Sequence, residues 1–449
     1  MPQQNVHNYH NKMSTTTTII YLWTVITHPM KKYRPRLADK ELKRGLEAFG
    51  AVLIVGPKWC GKTTTAEQIA KSAVYMQDPD KAKSYREMIQ ARPSILLEGE
   101  KPRLIDEWQM APELWDAVRF SVDRISEEGL FILTGSTTVD GSKIAHSGAG
   151  RITRMKMHTM SLYESGDSEG NVSLSALFSQ EEVSGHSALT YEDYAELIVR
   201  GGWPKSVGKE MAIVQEQISG YCKTILDSDV RTVDGVNRNS HKMRQILRSL
   251  SRNISTSASD TTILADINKK DNSSMHINTL RDYKAVLRDI YVIDELPAWT
   301  PKLRSKATIR TSDTIHLADP AIAAYFLRAS AEDLMWDPKT FGLLFESMAV
   351  RDLRVYANSL GGDIFHYRDS DGLEADAIVH LHNGKWGVAE VKLGAGMIDD
   401  AAKNLLKIKD KIESDAMGTL SFLAVITGTE YAYTRKDGIH VIPLGCLKD

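Results

Sequence analysis

Continuous apolar runs alternate with amphipathic stretches in the first third of the chain, the pattern of buried parallel strands joined by helices. Ala51–Val55 (AVLIV) is the first such run and Leu130–Ser136 (LFILTGS) the last, with the short Arg103–Ile105 between them. Leu37–Phe49, Thr64–Ser72 and Pro112–Glu128 carry helical spacing. Ser161–His186 is rich in Ser, Gly and Glu and reads as a loop or inserted segment. Tyr191–Val199 and Ile213–Val230 read as helices on either side of a Gly-Gly-Trp-Pro turn at Gly201–Pro204. Three further helices, His241–Arg252, Thr262–Lys269 and Ile277–Asp289, lead into an extended Tyr291–Trp299. The last third predicts a helix Phe341–Ala357, a strand Ile364–Asp369, and a hairpin turning at Asn383-Gly384. An amphipathic helix Met397–Glu413 and a strand Leu420–Gly428 complete it.

A chain of 449 residues is too long for one core; at about 150 residues per domain it predicts about three. Hydrophobic content of 42% with 25% charged residues excludes a disordered polymer. The net charge of −2 argues neither for nor against nucleic acid, so any basic surface must be local. One is visible: between Arg238 and Arg310 there are fourteen Lys or Arg against seven acids. Cys60, Cys222 and Cys446 have no metal-ligand spacing and form no disulfide framework, which fits a reducing cytoplasm. Ile19–Ile26 is too short to cross a bilayer, so no membrane contact is expected, and Met30 is as sensible a start as Met1.

The sharpest chemical signal is the transition from the first strand to its helix. Gly56, Pro57, Lys58, Trp59, Cys60, Gly61, Lys62, Thr63 and Thr64 fit G-x-x-x-x-G-K-[ST]. A strand end and a helix start bring unpaired N–H groups and the positive helix dipole to one point, where a polyphosphate supplies the matching charge. Lys62 would bridge the β- and γ-phosphates of ATP, and the Thr63 hydroxyl would ligate Mg²⁺. Asp106 and Glu107 follow the second run as a Walker B pair, the first for the metal and the second for the attacking water. Thr134 and Ser136 end the third run, either as sensors of the γ-phosphate or as turn hydroxyls. Arg151 is the candidate for a guanidinium that stabilises charge during phosphoryl transfer, on its own or a neighbour's nucleotide; Arg154 and Arg124 are alternatives.

A second constellation lies near the C-terminus. Alternation along the hairpin places Glu374, Asp376, Ile378 and His380 on one strand face and Val388, Glu390 and Lys392 on the facing one. Asp376, Glu390 and Lys392 can converge as D-x(n)-E-x-K, the PD-(D/E)xK nuclease pattern, with Glu346 on the preceding helix completing the set. Carboxylates there would hold one or two Mg²⁺ or Mn²⁺ ions that activate water on a phosphodiester, and the lysine would neutralise developing charge. The same fold also serves as a binding module that cleaves nothing.

The sequence resembles the AAA-type ATPases of bacteria and archaea that carry a C-terminal domain of unknown function. The likeness runs through GPKWCGKT, LIDEWQ with APELWDAVR, ILTGS and GAGRI, then GGWP, HLADPAIAAYF, LLFESMAVRDL, LEADAIV and AEVKLG. Lys58 stands where these proteins usually have Arg, and Ala321-Ile322 where they have Gly-Leu. The expected class is α/β. Residues 1–34 are a flexible extension, 35–160 a P-loop AAA-type core, and 161–237 a loop and helical lid. Residues 238–312 are a winged helix-turn-helix, with His276–Asp289 as recognition helix, and 313–449 a PD-(D/E)xK nuclease-like domain. The first expectation is an Mg²⁺-dependent ATPase driving these modules on DNA. Its rivals are a nucleotide switch docking a protein partner and a transcriptional regulator; the sequence leaves open whether the chain forms a homo-oligomer.

Overall fold

The first apolar run becomes an interior strand of a parallel sheet, with four of its five residues buried. In the computed structural model the described residues are 33–137, 147–179, 181–229, 236, 238–270, 274–300, 312–413 and 419–449. The first elements are α1 (Ala38–Ala48), β1 (Ala51–Val55), α2 (Lys62–Glu67), β2 (Ser72–Tyr75), α3 (Ala82–Ala91), β3 (Arg103–Asp106), α4 (Glu113–Ile125), β4 (Phe131–Gly135) and β5 (Ile152–Lys156). The sheet order is β2-β3-β4-β1-β5, with every pairing parallel. Alternate side chains serve opposite layers: Leu53, Ile105 and Leu133 pack with Leu114, Trp115 and Val118 of α4. Val52, Ile54, Leu104 and Ile132 pack with Leu42 and Leu46 of α1. The helix behind the phosphate loop ends at Glu67, earlier than the expected Ser72, because the chain turns into β2. That strand escaped detection since Val74 is its one fully buried residue.

The Ser-rich segment from Ser161 is not a loop. It forms the short helices Leu162–Ser165 and Leu174–Leu177 and the strands β6 (Val172–Ser173) and β7 (Ser184–His186). Two of its serines are helix caps: Ser161 and Glu164 make a reciprocal capping box, and Ser173 accepts from the Ala176 amide. Leu162, Val172, Leu174 and Leu177 are buried between them. The C-terminal strands are β8 (Gly362–Arg368), β9 (Glu374–Leu381), β10 (Lys385–Lys392), β11 (Thr419–Thr427), β12 (Tyr431–Thr434), β13 (His440–Pro443) and β14 (Leu447–Lys448). With β7 at one edge they form a mixed sheet, β7-β12-β13-β11-β10-β9-β8, while β6 pairs with β14. The long helix Pro338–Ser359 covers one face and the helix Ile398–Glu413 the other.

Between the sheets, helices Tyr191–Arg200 and Met211–Thr224 flank Gly201–Pro204, and helices Ser240–Arg252, Asp260–Lys270 and Ile277–Asp289 follow. Their apolar faces join those of the long helix in one core, and Arg34–Asp449 form one compact unit. The expected extension 1–34 falls almost wholly outside the described residues, as do the basic positions Lys302, Arg304, Lys306 and Arg310.

A buried carboxylate, Asp294, ties the parts together. Asp294 accepts from Lys156 at 2.6 Å and from Arg354, with His158 at 3.2 Å. Burial opposes its ionisation, yet Arg354, Lys156 and His158 outweigh burial and hold the carboxyl well below the usual range. A depressed folded value means the stabilisation is present above the unfolded value of 3.8 and is lost as pH falls through the folded one. Asp294→Asn should therefore cost roughly 2–3 kcal/mol at neutral pH and flatten the loss of stability below about pH 4. Urea unfolding across that pH range measures both.

Candidate functional site

β1 and β3 lie parallel on either side of β4, so the phosphate loop and the acidic pair share the C-terminal edge of the sheet. Gly56 has φ of 145°, and a Cβ there would lie 2.2 Å from the Met157 carbonyl oxygen; only glycine lets the loop leave the strand this closely. Lys62 is buried and its Nζ donates to the carbonyls of Gly56 (3.0 Å) and Pro57 (2.9 Å), curling over the loop. Cys60 is buried in the turn, Lys58 is half-buried, Thr64 is exposed, and Trp59 reaches outward. The loop rests on Arg36, which the sequence did not single out. Arg36 donates to the carbonyls of Cys60 (2.7 Å) and His158 (2.9 Å) and pairs with Glu164 at 3.0 Å.

Thr63 Oγ1 donates to Asp106 Oδ1 at 2.6 Å, and Thr134 Oγ1 donates to the same oxygen at 2.7 Å. Glu107 adopts left-handed backbone (φ 54°, ψ 49°), so the paired acids face different ways. Its carboxylate accepts from Ser136 Oγ at 3.1 Å and from Gln109, a further residue the sequence reading passed over. The donor set Thr63 and Asp106 is all oxygen, as Mg²⁺ requires, and beside it Trp108 Nε1 and Gln109 Oε1 are buried without partners. These residues fit a magnesium nucleotide.

Arg151 lies elsewhere. It precedes β5 and its carbonyl accepts from Ala51, the first residue of β1, so it sits at the opposite end of the sheet from the loop. Its guanidinium pairs with Asp123 at 2.6 Å. A role at its own chain's nucleotide is excluded by that placement, and only action on a neighbour's remains open to it.

Asp376, Glu390 and Lys392 do converge. Lys392 Nζ is 2.9 Å from Glu390 and 3.4 Å from Asp376, which also accepts from the Val391 amide at 2.7 Å. Asn404, unforeseen from sequence, donates to Glu390 at 3.3 Å and to the Glu374 carbonyl at 2.8 Å. Burial, then Asp376, pushes the Glu390 carboxyl up to about 8. Burial and the Asp376 charge raise Glu346 well above the ordinary range. Burial pulls Lys392 down, but Asp376 and Glu390 outweigh it and keep its ammonium charged. Among the described residues no group of three or more His, Cys, Asp or Glu is arranged to hold a metal ion. The Lys392 ammonium thus lies between the Asp376 and Glu390 carboxyl groups.

The expected recognition helix His276–Asp289, a helix over Ile277–Asp289 in the structure, has its cations paired with acids, although only Lys284 among them is buried. Lys284 is buried against Asp260 (2.8 Å), Arg281 pairs with Asp260 (3.2 Å) and Arg288 with Glu295 (2.6 Å). No described helix is long and apolar enough to cross a membrane.

Comparison with known proteins divides the chain in three. Residues 48–165 match the AAA domain, 191–333 a domain of unknown function (DUF8612), and 341–447 a domain of unknown function (DUF4143). The uncharacterized protein Rv2008c of Mycobacterium tuberculosis is 22% identical over 415 residues, spanning 91% of this chain and 83% of that one. Mb2031c of Mycobacterium bovis matches to the same extent. The Walker-type ATPase PABY2304 of Pyrococcus abyssi aligns over 66% of this chain and 96% of its own, with 13% identity and a TM-score of 0.38. A parallel sheet ending in this loop and this acidic pair, over the residues that match the AAA domain, makes the N-terminal part a nucleotide-binding P-loop core, with a DUF4143 domain at residues 341–447.

Proposed function

We propose that the chain is an Mg²⁺-dependent ATP hydrolase that works as a switch, its nucleotide state altering how the middle and C-terminal modules engage a partner. The observation that carries this reading is the meeting of Lys62, Thr63, Asp106 and Glu107 at one sheet edge. Loop N–H groups and the Lys62 ammonium hold the phosphates, and Thr63 with Asp106 holds the cation, which when bound neutralises charge between phosphate oxygens. Glu107, steadied by Ser136 and Gln109, accepts the proton of the attacking water. Glu107→Gln should leave ATP affinity within about twofold and lower turnover by about 10²- to 10³-fold. Nucleotide binding and phosphate release measured on the same sample decide it; turnover at the native rate would remove Glu107 from the role.

The path for coupling is short. Trp59 of the loop lies 5.7 Å, ring to ring, from Tyr221 of the helix Met211–Thr224, and Tyr221 lies 4.5 Å from Trp203. The neighbouring Gly202 amide donates to Asp319, which pairs with Arg351 on the helix that also carries Glu346. On this reading residues 238–312 resemble a winged helix acting as a docking lever, favoured over groove contact by the ion pairs of Arg281, Lys284 and Arg288.

Phosphodiester cleavage by a PD-(D/E)xK-like C-terminal domain is the second reading, supported by the convergence of Asp376, Glu390 and Lys392. Supercoiled plasmid and single-stranded DNA, incubated with protein, ATP and Mg²⁺ or Mn²⁺, should stay intact. Cuts that disappear in Asp376→Ala and Glu390→Ala would establish the nuclease and overturn the purely switching role of this domain.

A further inference from the structure

The cations of the middle segment fall into two groups. Arg238, Arg281, Lys284 and Arg288 are neutralised by Asp282, Asp260 and Glu295. Arg244 and Arg328, by contrast, make no ion pair among the described residues. Arg244 and Arg248 are four residues apart, hence on one face of the helix Ser240–Arg252, and both are exposed. That helix packs on Pro320–Leu327, whose C-terminal cap is Arg328. The cap has φ of 60° and ψ of 35°, a left-handed conformation that glycine usually fills and that disfavours an arginine.

The three arginines line, with Tyr325 and Phe326, a cavity of about 210 Å³. Arg244 and Arg328 bring positive charge to this cavity without an acidic partner among the described residues, and an anion bound there would meet that charge. Their planar forks match phosphate oxygens two at a time. Tyr325 and Arg328 also line a second cavity of about 380 Å³, whose other walls include Gln215, Glu216 and Ser219 of the helix Met211–Thr224 and Ser330. Its lining mixes apolar surface with hydrogen-bonding groups and an acceptor carboxylate, and its volume lies in the range of small-ligand sites. The basic cavity suits a phosphate, and the neighbouring one suits an uncharged ring system with hydroxyl or amino groups. A nucleic-acid strand would instead need cations continuing along a groove, and the adjoining helix has its own neutralised.

We propose that Arg244, Arg248 and Arg328, with the cavity beyond Tyr325, form a second ligand site for a nucleoside monophosphate or diphosphate, separate from the phosphate loop. The helix Met211–Thr224 that walls this site carries Tyr221 against Trp59, and the helix on its other side begins at Asp319. An occupant therefore bridges the elements that connect the ATPase core to the C-terminal domain.

AMP tests this without relying on the hydrolysis assignment, since it lacks the β- and γ-phosphates that Lys62 would hold. Calorimetric titration of the full chain carrying Lys62→Ala should show one AMP per chain. Adding Arg244→Gln and Arg328→Gln should weaken that binding by about tenfold or more. In the chain with Lys62 intact, the same two substitutions should leave ATP binding and the melting temperature unchanged, because both side chains are exposed. Absence of AMP binding, or equal affinity with and without the arginines, overturns the site. AMP bound no tighter than inorganic phosphate overturns the nucleoside half. An oligonucleotide that binds through these arginines where AMP does not would replace the small ligand by nucleic acid.

Discussion

Lys62→Ala protein should bind no ATP at concentrations that saturate the native chain and should hydrolyse none. The side chain has two tasks. Its ammonium provides charge that stays with the transferring phosphoryl group, and its bonds to the Gly56 and Pro57 carbonyls hold the loop curled. Losing one such electrostatic donor costs about 10²- to 10³-fold in turnover, and loss of ground-state binding adds to that. The fold should survive, because the remaining loop contacts, including those of Arg36 to Cys60 and Glu164, do not involve Lys62. Equilibrium binding of a fluorescent ATP analogue, phosphate release and a melting curve separate these effects. Native-rate hydrolysis by the variant would show that the loop is not the catalytic site.

Arg351→Ala should be the most destabilising single change outside the apolar core. Arg351 is buried, pairs with Asp319 at 3.2 Å and donates to Asp352 at 2.8 Å. Asp319 in turn accepts from the Gly202 amide at 2.9 Å and Thr159 Oγ1 at 2.7 Å, and Asp352 from the Leu162 amide at 3.0 Å. Removing the guanidinium strands two buried carboxylates, which costs about 3–5 kcal/mol. Burial already pushes Asp352 up to about 6 against the pull of Arg351, so without Arg351 it should take up a proton near neutral pH. Urea unfolding should show a midpoint shifted to lower denaturant, and a stability within about 1 kcal/mol of the native chain would disprove the role. Arg351→Met fills the volume without the charge and should rescue little, whereas Arg351→Lys should recover part. The same network predicts that nucleotide affinity changes in Arg351→Lys, a readout that packing alone would not move.

Much of the nucleotide site was legible because its signals are local. The loop spacing, the apolar runs before it and before Asp106, and the polar end at Ser136 all act within a few residues, and β1, β3 and β4 follow from them. The hairpin at Asn383-Gly384 and the alternation around it likewise brought Asp376, Glu390 and Lys392 together as expected. Arg36 and Gln109 escaped notice: the first is an arginine in a basic run, the second an ordinary polar residue after an acidic pair. Neither has a spacing that marks it, since their partners come from the fold: Arg36 reaches residues 24, 122 and 128 positions away.

Composition misled where capping and looping use the same residue types. Ser161 and Ser173 start short helices whose leucines, Leu162, Leu174 and Leu177, are buried. β7 belongs to a sheet whose other strands lie far down the chain, a pairing that no local pattern encodes. Charge counting misled in a similar way, because an excess of cations does not say which are already paired. Alone, the sequence determined that a triphosphate loop and an acidic pair are present, since backbone geometry and apolar periodicity act locally. Only the tertiary structure decided that Arg151 sits at the wrong end of the sheet for its own nucleotide, that Lys392 is held between two carboxylates, and that Asp319 and Arg351 lock the parts together. Those outcomes depend on burial and distance between remote residues, and both exist only once the chain has closed on itself.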